Sequence, residues 1–264
     1  MDHYKIIYDE NQVREFYRIL PRLKPAEVYF LSMSARNKYL SEEERKVLNL
    51  GRTEMYAKTI IRHDSEDEFV KHIRRLECDV RGYTTRTGNP IPERCFVCYG
   101  NICPSDTIKT IKRFQDLLSE YMSESLNLSL NSGDREKFLN RLNKIDNNLM
   151  SYYQQSHSSK IWFDLDIDLN NKDLIPSGKI ILIRRLIQLS LESFKLEGFR
   201  MISTRSGFHV LILKNQIKFN PKVLCDAITE SVGENFIQEV VHNKNEMVPI
   251  PGTYQAGYPV SFIN

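Results

Sequence analysis

Ile161-Trp162-Phe163-Asp164-Leu165-Asp166-Ile167-Asp168 alternates apolar side chains with carboxylates at every second position from Asp164. In a β-strand successive side chains point to opposite faces, so Asp164, Asp166 and Asp168 share one face while Phe163, Leu165 and Ile167 share the other. The apolar face calls for a core. Carboxylates crowded on one face repel, and such a group is at home where a metal ion neutralises it. Replacing Asp164 and Asp166 by Ala is therefore expected to relieve repulsion. A solvated edge strand ending in acidic turn residues is the plainer reading of Asp164-Leu165-Asp166 alone. The order of the surrounding elements separates the two.

Downstream, Pro176-Ser177-Gly178 precedes a helix predicted over residues 179–196 and stopped by Gly198. Strands follow over 199–203 and 208–213, joined by the turn Thr204-Arg205-Ser206-Gly207. Pro221 opens a helix to Val232, Gly233 ends it, and a strand covers 236–241. With strand 161–167 the order is βαββαβ, the ferredoxin-like or RRM-type arrangement. Its strands pair in the order 4-1-3-2 with both helices on one face. The open face would then gather Asp164 and Asp166 from the first strand, His209 from the third and Glu239 from the fourth. Glu246 competes with Glu239 as a third acid. Asp168 is expected to cap the loop after its strand, His157 to lie at the surface and Cys225 in the core.

That patch suits Mg2+ or Mn2+, which take hard oxygen ligands and bridge carboxylates to substrate phosphates. Two such ions about 4 Å apart stabilise the attacking and leaving oxygens of an in-line phosphoryl displacement. Arg205 and His209 beside them would bind a triphosphate, with Gly207 letting backbone N–H groups approach.

The first half reads as mixed α/β. Helices are expected over 11–20, 42–50, 64–76, 106–122 and 134–153, and strands over 27–33, 55–61 and 95–101, with a linker over 123–134. The loop 81–94 carries Arg81, Arg86 and Arg94 and is either a solvated connection or a phosphate-contacting element. The modules divide as 1–157 and 158–264. A hydrophobic content of 41% with 27% charged residues describes a globular chain and argues against disorder. A net charge of +3 and a pI near 8.5 permit a nucleic-acid partner without requiring one. No apolar run is long enough to span a membrane, and the N-terminus does not begin as a signal peptide, so a cytoplasmic setting is expected. Cys95, Cys98 and Cys103 read as buried reduced thiols; a structural zinc is not favoured.

Taken together, these residues resemble the archaeo-eukaryotic primase superfamily of primases and primase-polymerases. Trp162-Phe163-Asp164-Leu165-Asp166 is similar to its first motif, hydrophobic residues followed by Asp-x-Asp. Ser203-Thr204-Arg205-Ser206-Gly207-Phe208-His209 is similar to its second, a histidine on the strand after a hairpin. Val248-Pro249-Ile250-Pro251-Gly252-Thr253-Tyr254-Gln255-Ala256-Gly257 is similar to its Pro-Gly-Ser/Thr turn. The acid expected before that turn is here a glutamate, Glu239, and Pro249 or Ile250 stands where an arginine is expected. More faintly, Phe96-Val97-Cys98-Tyr99-Gly100-Asn101-Ile102-Cys103-Pro104 resembles the N-terminal strand and Asn-x-Pro turn.

The resemblance implies an α+β catalytic core with an N-terminal mixed α/β module and a C-terminal RRM-like module. It implies template-directed nucleotidyl transfer from (d)NTPs to a primer, or primer initiation, on single-stranded DNA or a primer-template. Asp164, Asp166 and Glu239 would be catalytic and hold Mg2+ or Mn2+. Arg205, Ser206, Gly207, His209 and Ser203 would bind the nucleotide, and Arg81, Arg86 and Arg94 would contact the template. The chain would act as a monomer or within a larger polypeptide or complex, in a CRISPR-linked or mobile-element setting. A metal-dependent nuclease using the same aspartates and a non-catalytic RRM-like binder stay open at this point. The binder relies on exposed aromatics on its central strands, where this sequence has aspartates.

Overall fold

Capping chemistry sets where the helices of the first half begin. In the computed structural model, which describes residues 5–62, 64–77, 82–85, 87–127, 132–143, 145–158, 161–243 and 246–263, α1 (Glu10–Ile19) starts where the Asp9 carboxylate accepts from the N–H groups of Asn11 and Gln12. After β1 (Glu27–Arg36), α2 (Glu42–Leu48) opens in a reciprocal Ser41–Glu44 capping box and ends at Asn49, in the left-handed region, before Gly51 is reached. β2 (Thr53–Ile61), α3 (Glu66–Arg74), β3 (Phe96–Asn101) and the short β4 (Ser105–Asp106) follow. The expected linker and single helix are instead the end of α4 (Thr107–Asn127), then α5 (Ser132–Leu142) and α6 (Ile145–Gln155). Asn143, whose side chain competes with helical backbone bonding, sits in the turn that closes α5.

The second half runs β5 (Trp162–Leu169), α7 (Ser177–Ser193), β6 (Arg200–Ser203), β7 (Gly207–Leu213), α8 (Pro221–Val232) and β8 (Ile237–His242). Four short strands then close the chain: β9 (Met247–Pro249), β10 (Tyr254–Gln255), β11 (Tyr258–Pro259) and β12 (Ser261–Ile263). Two antiparallel sheets result. One has the order β11-β10-β3-β1-β2, with β4 on β1 and β9 on β3; the other has the order β12-β6-β7-β5-β8. The βαββαβ segment thus pairs its strands 4-1-3-2. Among the described residues no helix is long and apolar enough to cross a membrane.

The alternation in β5 works as the sequence predicts. Phe163, Leu165 and Ile167 pack with Ile187 and Leu191 of α7 and Leu224 and Ile228 of α8. The opposite face is only partly open. Trp162 and its neighbours Ile202 and Leu211 join the core of the first sheet, with Phe16 and Leu31, and the Trp162 indole N–H donates to the Ile19 carbonyl at 3.0 Å. Burying each such side chain contributes about 1.5–3 kcal/mol, so the core of the first sheet extends onto the second and ties the two together.

The boundary expected at 157/158 is crossed a second time. Met247, Val248 and Pro249 pair with β3, as does Gln255, so residues assigned to the second module complete the first sheet. Gly252 makes the return possible. At φ +87° it lies where a Cβ would meet the Asp9 carbonyl oxygen at 2.2 Å, and its own carbonyl accepts from the N–H groups of Tyr8 and Asp9. β12 then adds to the second sheet beside β6.

Candidate active site

β5 and β7 are interior strands of the second sheet, and their register sets Asp166 directly opposite His209 and Asp168 opposite Gly207. Asp164 lies one pleat deeper and is fully buried. Its Oδ1 and Oδ2 lie 3.0 and 3.1 Å from His209 Nδ1, and Oδ2 also accepts from the Asn243 side-chain amide at 2.7 Å. Asn243 is itself anchored, its amide donating to the Met247 carbonyl and its backbone N–H to the Asp164 carbonyl. His209 Nε2 lies 3.6 Å from Asp166 Oδ1. Burial pulls the imidazole toward neutrality, but Asp164, Asp166 and Asp168 together outweigh it and raise its pKa to about 9.

Asp166 and Asp168 turn their carboxylates into a cleft of about 470 Å³ between the two sheets, which His209 and Asn243 also line. Asp166 is one-third exposed. Burial raises its pKa, Asp168 and Asp164 add to that, and His209 and Lys38 oppose it. A half-buried carboxylate pair of this kind is stabilised by a cation of hard character. No three His, Cys, Asp or Glu side chains among the described residues group as a ready metal cage. Two carboxylates that leave positions for water and phosphate fit the way Mg2+ binds beside substrate phosphates, and Asp166 and Asp168 are the residues that would hold it. Asp164, expected as a ligand, has its oxygens engaged by His209 and Asn243. Asp168, expected as a loop cap, faces the cleft.

The opposite wall comes from β1. Its odd positions Tyr29, Leu31, Met33 and Ala35 enter the core, while Ser32, Ser34 and Arg36, with Lys38 just beyond, line the cleft. The Arg36 Nη1 donates to the Tyr99 hydroxyl at 2.6 Å, and the Lys38 ammonium donates to Ser206 Oγ at 3.3 Å on the facing sheet.

The hairpin residues divide. Ser206 lines the cleft, but Arg205 points elsewhere: its Nη1 donates to the Ala256 carbonyl at 2.7 Å, its guanidinium lies 5.0 Å from the Tyr39 ring centroid, and its backbone N–H donates to the Gln255 side chain. Ser203 Oγ is 2.8 Å from the Tyr258 hydroxyl and accepts from Lys172. Gly207 serves packing, since a Cβ there would meet the Ile167 carbonyl oxygen at 1.8 Å, and its N–H goes to Thr204 Oγ1. Lys172 clamps this turn from below through the carbonyls of Thr204 and Gly207, and burial lowers its pKa to about 8.

Glu239 shares the face of Asp168, its register partner, yet is exposed on the edge strand and does not line the cleft. Glu246 is buried elsewhere, 3.8 Å from His157, whose side chain is nearly buried although a surface position was expected; both pack inward where the chain returns to β3. Arg94 pairs with Glu44, and Arg81 and Arg86 lie outside the described residues. Cys95, Cys98 and Cys103 are buried; burial raises all three thiols, Cys95 to about 11 and Cys103 to about 12, so they are neutral near pH 7. Cys225 is half-buried against the second core.

Sequence reasoning missed Arg36, Lys38 and Asn243. The polar alternation Ser32-x-Ser34-x-Arg36 inside an otherwise apolar strand was a visible signal for the first two. Asn243 had none, because its role depends on meeting Asp164 across 79 residues. Among known proteins, no family model, no curated protein and no solved structure matches this chain.

Proposed function

We propose that the cleft is the active site of a template-directed nucleotidyltransferase of the primase-polymerase kind, extending or initiating a strand from (d)NTPs on single-stranded DNA or a primer-template. The observation that carries this reading is the convergence of Asp166, Asp168 and His209, from adjacent interior strands, on one cleft between two sheets. The 4-1-3-2 strand order with both helices on one face supports the RRM-like architecture that this reading assumes. The cleft volume is in the range of small-molecule sites.

Bound at Asp166 and Asp168, Mg2+ or Mn2+ would supply charge neutralisation at the reacting phosphate and a lowered pKa for the attacking hydroxyl. Asp164 holds the imidazole of His209 through Nδ1, which leaves Nε2 to donate toward the cleft. A phosphate oxygen there would receive that hydrogen bond, and the fixed ring needs no reorganisation during the reaction. Asn243 orients Asp164 in turn. Lys172 and the close contact at Gly207 keep the hairpin rigid, so Ser206 and His209 stay aligned with β5.

The test is a gel assay on single-stranded DNA with and without a labelled primer, supplying dNTPs or NTPs and Mg2+ or Mn2+, beside Asp166→Ala/Asp168→Ala. Extension, or new short products in unprimed lanes, that vanish in the variant support the reading. Shortened primers without nucleotides would identify a nuclease, and inertness of the folded protein would leave a nucleic-acid-binding module.

A further inference from the structure

The cleft has walls of opposite charge whose charged groups do not pair across it. Asp166 and Asp168 stand on the second sheet, and Arg36 and Lys38 on the first. Each cation feels Asp168 electrostatically, and Lys38 also feels Asp166. Yet among the described residues neither forms an ion pair with either carboxylate within 4.0 Å. Arg36 is the last residue of β1, paired with Thr53 at the start of β2, and its Nη1 is anchored on the Tyr99 hydroxyl of β3. Its Nε is buried with no hydrogen-bond partner, so the Tyr99 hydroxyl does not satisfy the guanidinium, which also lines the cleft. Lys38 reaches across to Ser206 only through a long hydrogen bond. Arg205, the cation that the hairpin position would nominate for phosphate, is spent on Ala256 and Tyr39.

We infer that Arg36 and Lys38 form the phosphate-holding wall of the cleft, and that its ligand is a polyphosphate chelated to a divalent cation. Such a ligand matches both walls at once: the cation end faces Asp166 and Asp168, and the oxygens left free of the cation face Arg36 and Lys38. A guanidinium offers a planar fork of N–H donors suited to two phosphate oxygens, and an ammonium acts as a point charge beside it. The hydroxyls of Ser32 and Ser34 on the same face of β1 add neutral donors. Applied to a nucleotide, the inference rests on the nucleotidyltransferase reading; as a site for a metal-bound polyphosphate it stands on the geometry alone.

The experiment measures binding of inorganic tripolyphosphate in Mg2+ to the full chain by calorimetry, for wild type, Lys38→Gln, Arg36→Gln/Lys38→Gln and the conservative Arg36→Lys, each checked by its melting curve. Affinity falling at least about tenfold in Lys38→Gln and further in the double variant, with partial retention in Arg36→Lys, is the expected result. Unchanged affinity in folded Lys38→Gln and Arg36→Lys, or no binding to wild type, overturns the inference. Should the double variant fail to fold, the two single variants decide. Primer extension run in parallel separates the two claims. Tripolyphosphate binding lost in the variants with no extension by wild type leaves this site standing and removes the polymerase reading. Extension by wild type with an unchanged nucleotide KM in the variants does the reverse.

Discussion

Asp164→Asn tests how the site is held together. In the metal-free protein His209 titrates near 9 instead of its ordinary 6.5, and its hydrogen-bonded partner is Asp164. At about 1.4 kcal/mol per pH unit, that separation corresponds to about 3.5 kcal/mol of stability, with Asp164 the leading contributor ahead of Asp166 and Asp168. A raised folded-state pKa contributes fully below the unfolded value and is lost as pH rises through the folded one. The contribution is therefore complete below about pH 6.5 and gone above about pH 9. With a neutral amide at 164, burial dominates and the imidazole gains little from protonation. Urea denaturation of both proteins in chelator, from pH 6 to 9.5, should show Asp164→Asn less stable by about 2–3 kcal/mol at pH 6, with the gap closing to under about 1 kcal/mol by pH 9.5. Taking the difference cancels groups titrating alike in both proteins. A gap that stays constant with pH, or a variant more stable than wild type at pH 6, would refute the Asp164–His209 coupling. The second of those outcomes is what carboxylate repulsion along β5 by itself suggests.

Asp168→Asn should lower primer extension by about a hundredfold or more, because several kcal/mol of charge stabilisation are lost, whereas Glu239→Gln, exposed outside the cleft, should leave rates within about twofold. Lys172→Met should raise the nucleotide KM by loosening the hairpin that Lys172 clamps. Because burial lowers the Lys172 pKa to about 8, wild type should also gain stability relative to that variant as pH rises from 8 to 10.5, read as melting temperatures. Gly207→Ala should cost about 3 kcal/mol or prevent folding, since its Cβ would overlap the Ile167 carbonyl oxygen; soluble yield and circular dichroism report it. A Gly207→Ala protein as stable as wild type would show that β5 and β7 are further apart than the structure has them.

The period-2 pattern of residues 162–168, the Pro and Gly punctuation around α8 and the Ser41 cap are local chemistry, and each was legible from the sequence. So were the βαββαβ order and the face shared by Asp164, Asp166 and Asp168, because a strand's faces follow from its backbone geometry alone. Which carboxylate is closed off and which is open could not be read that way. Equivalent positions on one strand differ only through what crosses them: His209 and Asn243 cover Asp164, while the gap between the sheets exposes Asp166 and Asp168. The same holds for the cations. Arg205 shares the motif of His209 yet is bonded to Ala256, and Arg36 is 130 residues from Asp166 yet lines the same cleft. The return of residues 247–259 to β3, carried by Gly252 packed against Asp9, depends on contacts nearly the whole chain apart. Sequence alone determined the βαββαβ elements and the chemistry they carry; tertiary packing decided which groups meet, because burial and pairing are properties of neighbours distant in the chain.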